Sequence, residues 1–114
     1  MVVLAALLVL ALSGCDVMKR ISEGAYRNAI ADGTVEELGK RGVRLTDRPS
    51  CVMPRTGSDS VLRVRCTGRT TTGAPVIVTG GATDADSKNP RENYVVTVGG
   101  REVLHKNCLG PDCT

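Results

Sequence analysis

Val61-Leu62-Arg63-Val64-Arg65-Cys66 alternates residue by residue between apolar and charged side chains. Successive side chains of a strand point to opposite faces, so this period of two directs Leu62, Val64 and Cys66 inward and Arg63 and Arg65 outward. Thr72-Gly73 then marks a tight turn, and residues 74–79 return as a second strand with Val76 and Val78 on one face. Pro75 lacks an N–H for the ladder, which points to an edge strand or a bulge. Farther along, residues 93–98 and 101–105 form a hairpin closed by Gly99-Gly100, a two-residue connection that admits positive φ. That register sets Val96 against Val103 and Tyr94 against His105. With a helical region ahead of it, the sheet is expected to be a four-stranded antiparallel meander in an α+β domain.

Upstream, residues 16–33 read as a tether leading into a helical segment, with Val17, Ile21, Ala25 and then Asn28 or Ala29 at helical spacing, weakened by Gly24. A better helix is expected from Thr34. Thr34-Val35-Glu36-Glu37 has capping-box spacing, the acidic pair Glu36 and Glu37 suits the first turn, and Lys40 and Arg41 suit the last. Gly42 is placed to take a left-handed stop, folding Val43 back on Leu38. These charges have structural uses, and no catalytic role is assigned to Glu36 or Glu37. Residues 46–60, with Pro49, Pro54, Gly57, Ser58, Asp59 and Ser60, read as a loop held by Cys51. Residues 80–92 read as a second long polar loop. Asp84 and Asp86 lie at calcium-loop spacing, but the glycine and distal glutamate of an EF-hand are missing from their positions.

Besides Cys15 there are four cysteines, Cys51, Cys66, Cys108 and Cys113. An even number in so small a domain reads as two disulfides, with three possible connectivities. Pairing Cys51 with Cys66 and Cys108 with Cys113 is favoured, because the first ties the segment before the sheet to its first strand and the second clamps a turn containing Gly110 and Pro111. The crossed pairings would instead pin the C-terminus onto the sheet. Only Cys108 and Cys113 come near the spacing of a zinc knuckle, and no C-x-x-C motif is present, so neither a metal nor a redox-active pair is expected. No cofactor is expected either.

The 114 residues carry 15 Lys and Arg against 12 Asp and Glu, a formal charge of +3 spread along the chain. There is no Phe or Trp and only two Tyr, Tyr26 and Tyr94. Platforms for stacking bases or sugars are therefore not expected, and neither is nucleic-acid binding. A core of Val, Ile, Leu and Ala in so short a chain calls for extra stabilisation, which the disulfides supply. His105 is the only histidine. With no Ser, thiolate or carboxylate assignable as its partner, it reads as a packing residue and the chain as a non-enzyme.

The first residues, MVVLAALLVLALSG, contain no charge and are almost all Leu, Val and Ala. Val2 to Leu12 has the length of a signal-peptide apolar region and is too short for a helix crossing ~30 Å of hydrocarbon. Leu12-Ser13-Gly14-Cys15 then has the order of a lipobox. Small residues at 13 and 14 admit the backbone to a signal peptidase, and the Cys15 thiol accepts a diacylglyceryl group by thioether formation. The expected organisation is a lipoprotein signal peptide at 1–14, a tether and helical segment at 15–33 and the α+β domain at 34–114. Lys and Arg are lacking ahead of the apolar run, so Met1 is expected to be an internal start of a longer precursor.

The lipobox, the first cysteine near a proline, and the run Val64-Arg65-Cys66-Thr67-Gly68-Arg69-Thr70-Thr71-Thr72-Gly73-Ala74-Pro75-Val76-Ile77-Val78 resemble small lipoproteins of high-GC Gram-positive bacteria, many of them domains of unknown function. Val98-Gly99-Gly100-Arg101-Glu102-Val103 and Cys108-Leu109-Gly110 extend the resemblance over most of the exported part. It implies export, a disulfide and a small sheet, and brings no catalytic residues. The expected function is a monomeric lipoprotein, anchored through Cys15 on the extracytoplasmic face of the cell membrane, presenting an interaction surface to an envelope protein. The alternatives are an inhibitor of an envelope hydrolase, working through residues 46–60 or 80–92, and a small-ligand-binding lipoprotein.

Overall fold

Alternation in the central strand builds the sheet as its sequence requires. In the computed structural model, which describes residues 23–110 and Cys113, β2 (Leu62–Arg69) buries Val64 and Cys66 and exposes Arg63 and Arg65. It pairs antiparallel with β3 (Pro75–Thr83), which buries Val76 and Val78. β4 (Arg91–Val98) and β5 (Arg101–Lys106) complete the meander on one side, and β1 (Ser50–Val52) adds a strand on the other. The sheet is thus five-stranded in the order β1-β2-β3-β4-β5, every pair antiparallel. The α+β class holds, and the expected count of four strands is corrected to five.

The extra strand lies in the stretch expected to be a loop. Three residues between Pro49 and Pro54 suffice, because Cys51 stands directly opposite Cys66 and is bonded to it. Both favoured disulfides are formed, Cys51–Cys66 and Cys108–Cys113. The second expected loop is also shorter, since β3 runs on to Thr83 and β4 starts at Arg91. Gly80-Gly81 is here a packing device. A Cβ on Gly80 would lie 2.1 Å from the Asn93 carbonyl oxygen and 2.8 Å from the Tyr94 ring, and one on Gly81 would lie 1.9 Å from the Leu62 carbonyl oxygen. The glycines let the neighbouring strands and the tyrosine ring close on them. Pro75 is the first residue of a central strand, the one interior position where its missing N–H is tolerated.

Gly99 and Gly100 both take positive φ, 60° and 81°, as the two-residue hairpin demands. Val98 pairs with Arg101 and Thr97 with Glu102, but a bulge then leaves Val103 unpaired and sets Val96 against Leu104. Leu104 enters the buried core while Val103 packs against it only partly buried, and Tyr94 faces Lys106 while His105 faces Val95. The expected pairs Val96–Val103 and Tyr94–His105 are corrected accordingly.

Among the described residues there is one helix, α1, which covers residues 23–40 and passes the point where a second helix is expected to start. Tyr26, Ile30, Thr34 and Leu38 recur every four residues as its sheet-facing stripe, with Ala31 beside them. Ala25 and Asn28 lie on the exposed side, while Val17 and Ile21 fall outside the described residues. Thr34 caps nothing; its hydroxyl donates to the Ile30 carbonyl, 2.8 Å away, one turn back. Gly33 leaves room for the C-terminal loop, because a Cβ there would sit 2.5 Å from the Gly110 nitrogen. The helix does end as expected: Gly42 has φ +76°, and the N–H groups of Val43 and Gly42 donate to Leu38 and Gly39. That double bond pattern is a Schellman stop.

Candidate functional site

The sheet has two unlike faces, and their difference comes from the strand period. Opposed residues in an antiparallel pair share a face, so the registers sort every side chain. The face under α1 carries Cys66, Val78, Val96 and Leu104 in one row and Val64, Gly80, Tyr94 and Lys106 in the next. Tyr94, Val78, Val96 and Cys66 have no solvent exposure at all. The Cys51–Cys66 bridge lies within this layer and staples the edge strand at the core.

Two polar clusters fasten α1 to this face. The Tyr26 and Tyr94 hydroxyls are hydrogen-bonded at 2.5 Å, and Tyr94 donates to the Glu92 carboxylate at 2.8 Å. Burial, then bonding to Tyr26 and to the Glu92 carboxylate, pushes the Tyr94 phenol far above the ordinary tyrosine range. Burial likewise raises Tyr26. At the other end of the helix, Glu37 accepts from Lys106 Nζ at 3.0 Å and from Arg41 at 3.1 Å, with Lys40 at 3.5 Å. The Lys106 hydrogen bond leads in holding the Glu37 carboxyl below its usual range. Glu37 is thus a clasp between α1 and β5, and its expected place in a capping box is corrected. Among the described residues, no buried side-chain nitrogen or oxygen lacks a partner. These clusters are satisfied and face inward, as structural ties do.

The other face is open. Across it run Val52, Arg65, Thr79, Val95 and His105 in one row and Ser50, Thr67, Ile77, Thr97 and Glu102 in the next. Arg63 stands beyond one side of these rows, Arg69 beyond the other, and Arg91 extends the Arg63 side. All four arginines are exposed. Among the described residues, none of them has a carboxylate within ion-pair distance. Arg69 donates to the Gly73 carbonyl, near Asp47 on the rim. Glu102 is the acid within the rows.

His105 lies on this exposed face, so its reading as a half-buried packing residue is corrected. Its Nε2 is 2.6 Å from Asn93 Oδ1, and its Nδ1 is 3.9 Å from Glu102. Those neighbours hold the ring, and among the described residues no hydroxyl or thiol is hydrogen-bonded to it. Asp84 and Asp86 sit in the short turn 84–90, and among the described residues no three His, Cys, Asp or Glu side chains are grouped to hold a metal ion. The proposed lipidation residue Cys15, the signal peptide 1–14 and the tether as far as residue 22 lie outside the described residues. No helix among the described residues is long and apolar enough to cross a membrane.

Sequence alternation identified Arg63 and Arg65 as outward-facing. It misses Arg69 and Arg91 as members of the same surface, because it ends the first strand at Cys66 and reads residues 80–92 as a loop. Compared with family models, with curated proteins and with solved structures, the chain matches none.

Proposed function

We propose that this chain is an exported lipoprotein, held on the extracytoplasmic face of the cell membrane by acyl groups on Cys15, and that its domain is a non-enzymatic interaction module. The observation that carries this reading is Leu12-Ser13-Gly14-Cys15 at the end of an uncharged apolar run. Cysteine pairing supports it from a different direction. Two disulfides use four of the five cysteines, and the one left over is the lipobox cysteine. Disulfides persist in oxidising compartments, where an exported domain resides. A core of small aliphatic side chains with buried ties suits a rigid support for a surface, and the open sheet face provides that surface.

Growth of cells with labelled palmitate tests the anchor. The wild-type chain is expected to take up label and sediment with membranes, and Cys15→Ala to lose both properties. A wild-type chain that stays unlabelled and soluble would overturn the proposal.

A further inference from the structure

The geometry points to the open sheet face as a docking surface for anionic phospholipid headgroups of the membrane that carries the anchor. This inference rests on the lipoprotein reading above.

Arg63, Arg65, Arg69 and Arg91 project from the face of the sheet opposite α1. The rows between them hold the compact β-branched side chains Thr67, Thr79, Thr97, Ile77 and Val95, with Ser50 and Val52 at the β1 edge and Glu102 and His105 at the β5 edge. None of the five central side chains can wedge between bases or stack on a sugar, and none is long enough to insert deeply into hydrocarbon. What the face offers is cationic charge in a broad open layer. A guanidinium is planar, permanently charged and weakly hydrated, so it pairs with phosphate through two parallel hydrogen bonds.

Position selects the occupant. Eight chain steps separate Cys15 from Glu23, where α1 is first described, and fully extended they reach about 29 Å. A lipid on Cys15 would hold the domain within roughly its own diameter of the headgroups. Arg63 and Glu23 line the same surface groove, whose acids Glu23, Asp59 and Asp86 border the arginine face on the side where α1 is first described. A second copy of the chain is a poor occupant, because two such faces packed together would bring arginines against arginines. An acidic protein is the competing occupant and is separated by the test below.

The test uses the full chain extracted from membranes and reconstituted through its own anchor into vesicles. One set contains phosphatidylcholine alone, and the other contains phosphatidylcholine with phosphatidylglycerol. An environment-sensitive fluorophore is placed at Thr79, in the middle of the open face, or at Val35 on the exposed side of α1, and a quencher is carried on the lipid headgroups. Quenching at Thr79 but not Val35, in the anionic vesicles only, and its loss at high salt, is the expected result. Each arginine near an anionic surface changes the docking constant about fivefold. Arg63→Gln, Arg65→Gln and Arg91→Gln together should therefore lower it on the order of 100-fold. Removing the same charge elsewhere, in Arg27→Gln, Arg44→Gln and Arg101→Gln, should leave it intact.

Equal quenching at the two positions, equal quenching in the two lipid compositions, or equal losses in the two triple variants would each overturn the inference. So would quenching at Thr79 that appears only when envelope proteins are added. The intact mass of the same preparation reports whether Cys15 carries lipid. A failed anchor and a failed docking face are therefore read separately.

Discussion

Replacing Tyr94 with phenylalanine keeps a fully buried ring and removes one oxygen, which is bonded to both Tyr26 on α1 and Glu92 on β4. A hydrogen bond to a charged group contributes about 1.5–3 kcal/mol and a neutral one about 1 kcal/mol. Glu92 and Tyr26 are both partly exposed, so water can replace some of what each loses. The expected cost of Tyr94→Phe is therefore about 2 kcal/mol, and that of Tyr26→Phe about 1 kcal/mol. Because the two hydroxyls bond each other, the costs cannot add. The double variant should fall short of the sum by about 0.5–1 kcal/mol. For a domain of this length, 2 kcal/mol lowers Tm by about 10 °C. Urea and thermal unfolding followed by far-ultraviolet circular dichroism, on the parent and three variants, measures all four corners. A Tyr94→Phe protein as stable as its parent, or strictly additive losses, would refute the assignment of this pair as the tie between helix and sheet.

Both phenols are raised above the ordinary value of about 10, so the folded state favours their neutral forms. Their contribution is complete below pH 10 and is lost as pH rises above it, and phenolate absorbance should appear at higher pH in the folded chain than in the unfolded one. For Glu37 the sign is reversed, because Lys106 holds its carboxyl below the unfolded value. Its contribution is present above about pH 4.3 and disappears as pH falls through the lower folded value, so Glu37→Gln should cost about 1 kcal/mol at pH 7 and progressively less as pH falls below about 4.3, read from Tm against pH. Gly81→Ala puts a methyl group 1.9 Å from the Leu62 carbonyl oxygen, where only backbone can move, and should destabilise by about 3 kcal/mol or more in urea unfolding. A neutral Gly81→Ala variant would contradict the close approach of β2 and β3.

How much of this was legible beforehand depended on whether one physical cue had one outcome. Strict alternation in β2, the Gly99-Gly100 turn and the Gly42 stop each have a single low-energy reading, and all three are present. Gly80-Gly81 and Thr34 did not. A glycine pair suits a flexible loop and a tight strand contact equally well, and the choice here was made by the Tyr94 ring and the Leu62 carbonyl, which are distant in sequence. Thr34 with Glu37 matches a capping box, yet the hydroxyl serves the preceding turn, because Gly33 is occupied by the approach of Gly110 and not by a helix end. Val103 and Leu104 are both apolar, so the bulge that exchanged them left no mark in the pattern. The arginine face was half visible for the same reason: Arg63 and Arg65 lie in the clearest strand, whereas Arg91 joins them only through the registers of β3 with its two neighbours.

Intact-mass analysis of the membrane-extracted protein, before and after reduction, tests the central claim most directly. The account predicts a chain that begins at Cys15, carries a diacylglyceryl group there, and gains four hydrogens on reduction as the Cys51–Cys66 and Cys108–Cys113 bridges open. A soluble chain that retains residues 1–14, bears no lipid and shows no mass change on reduction would contradict it.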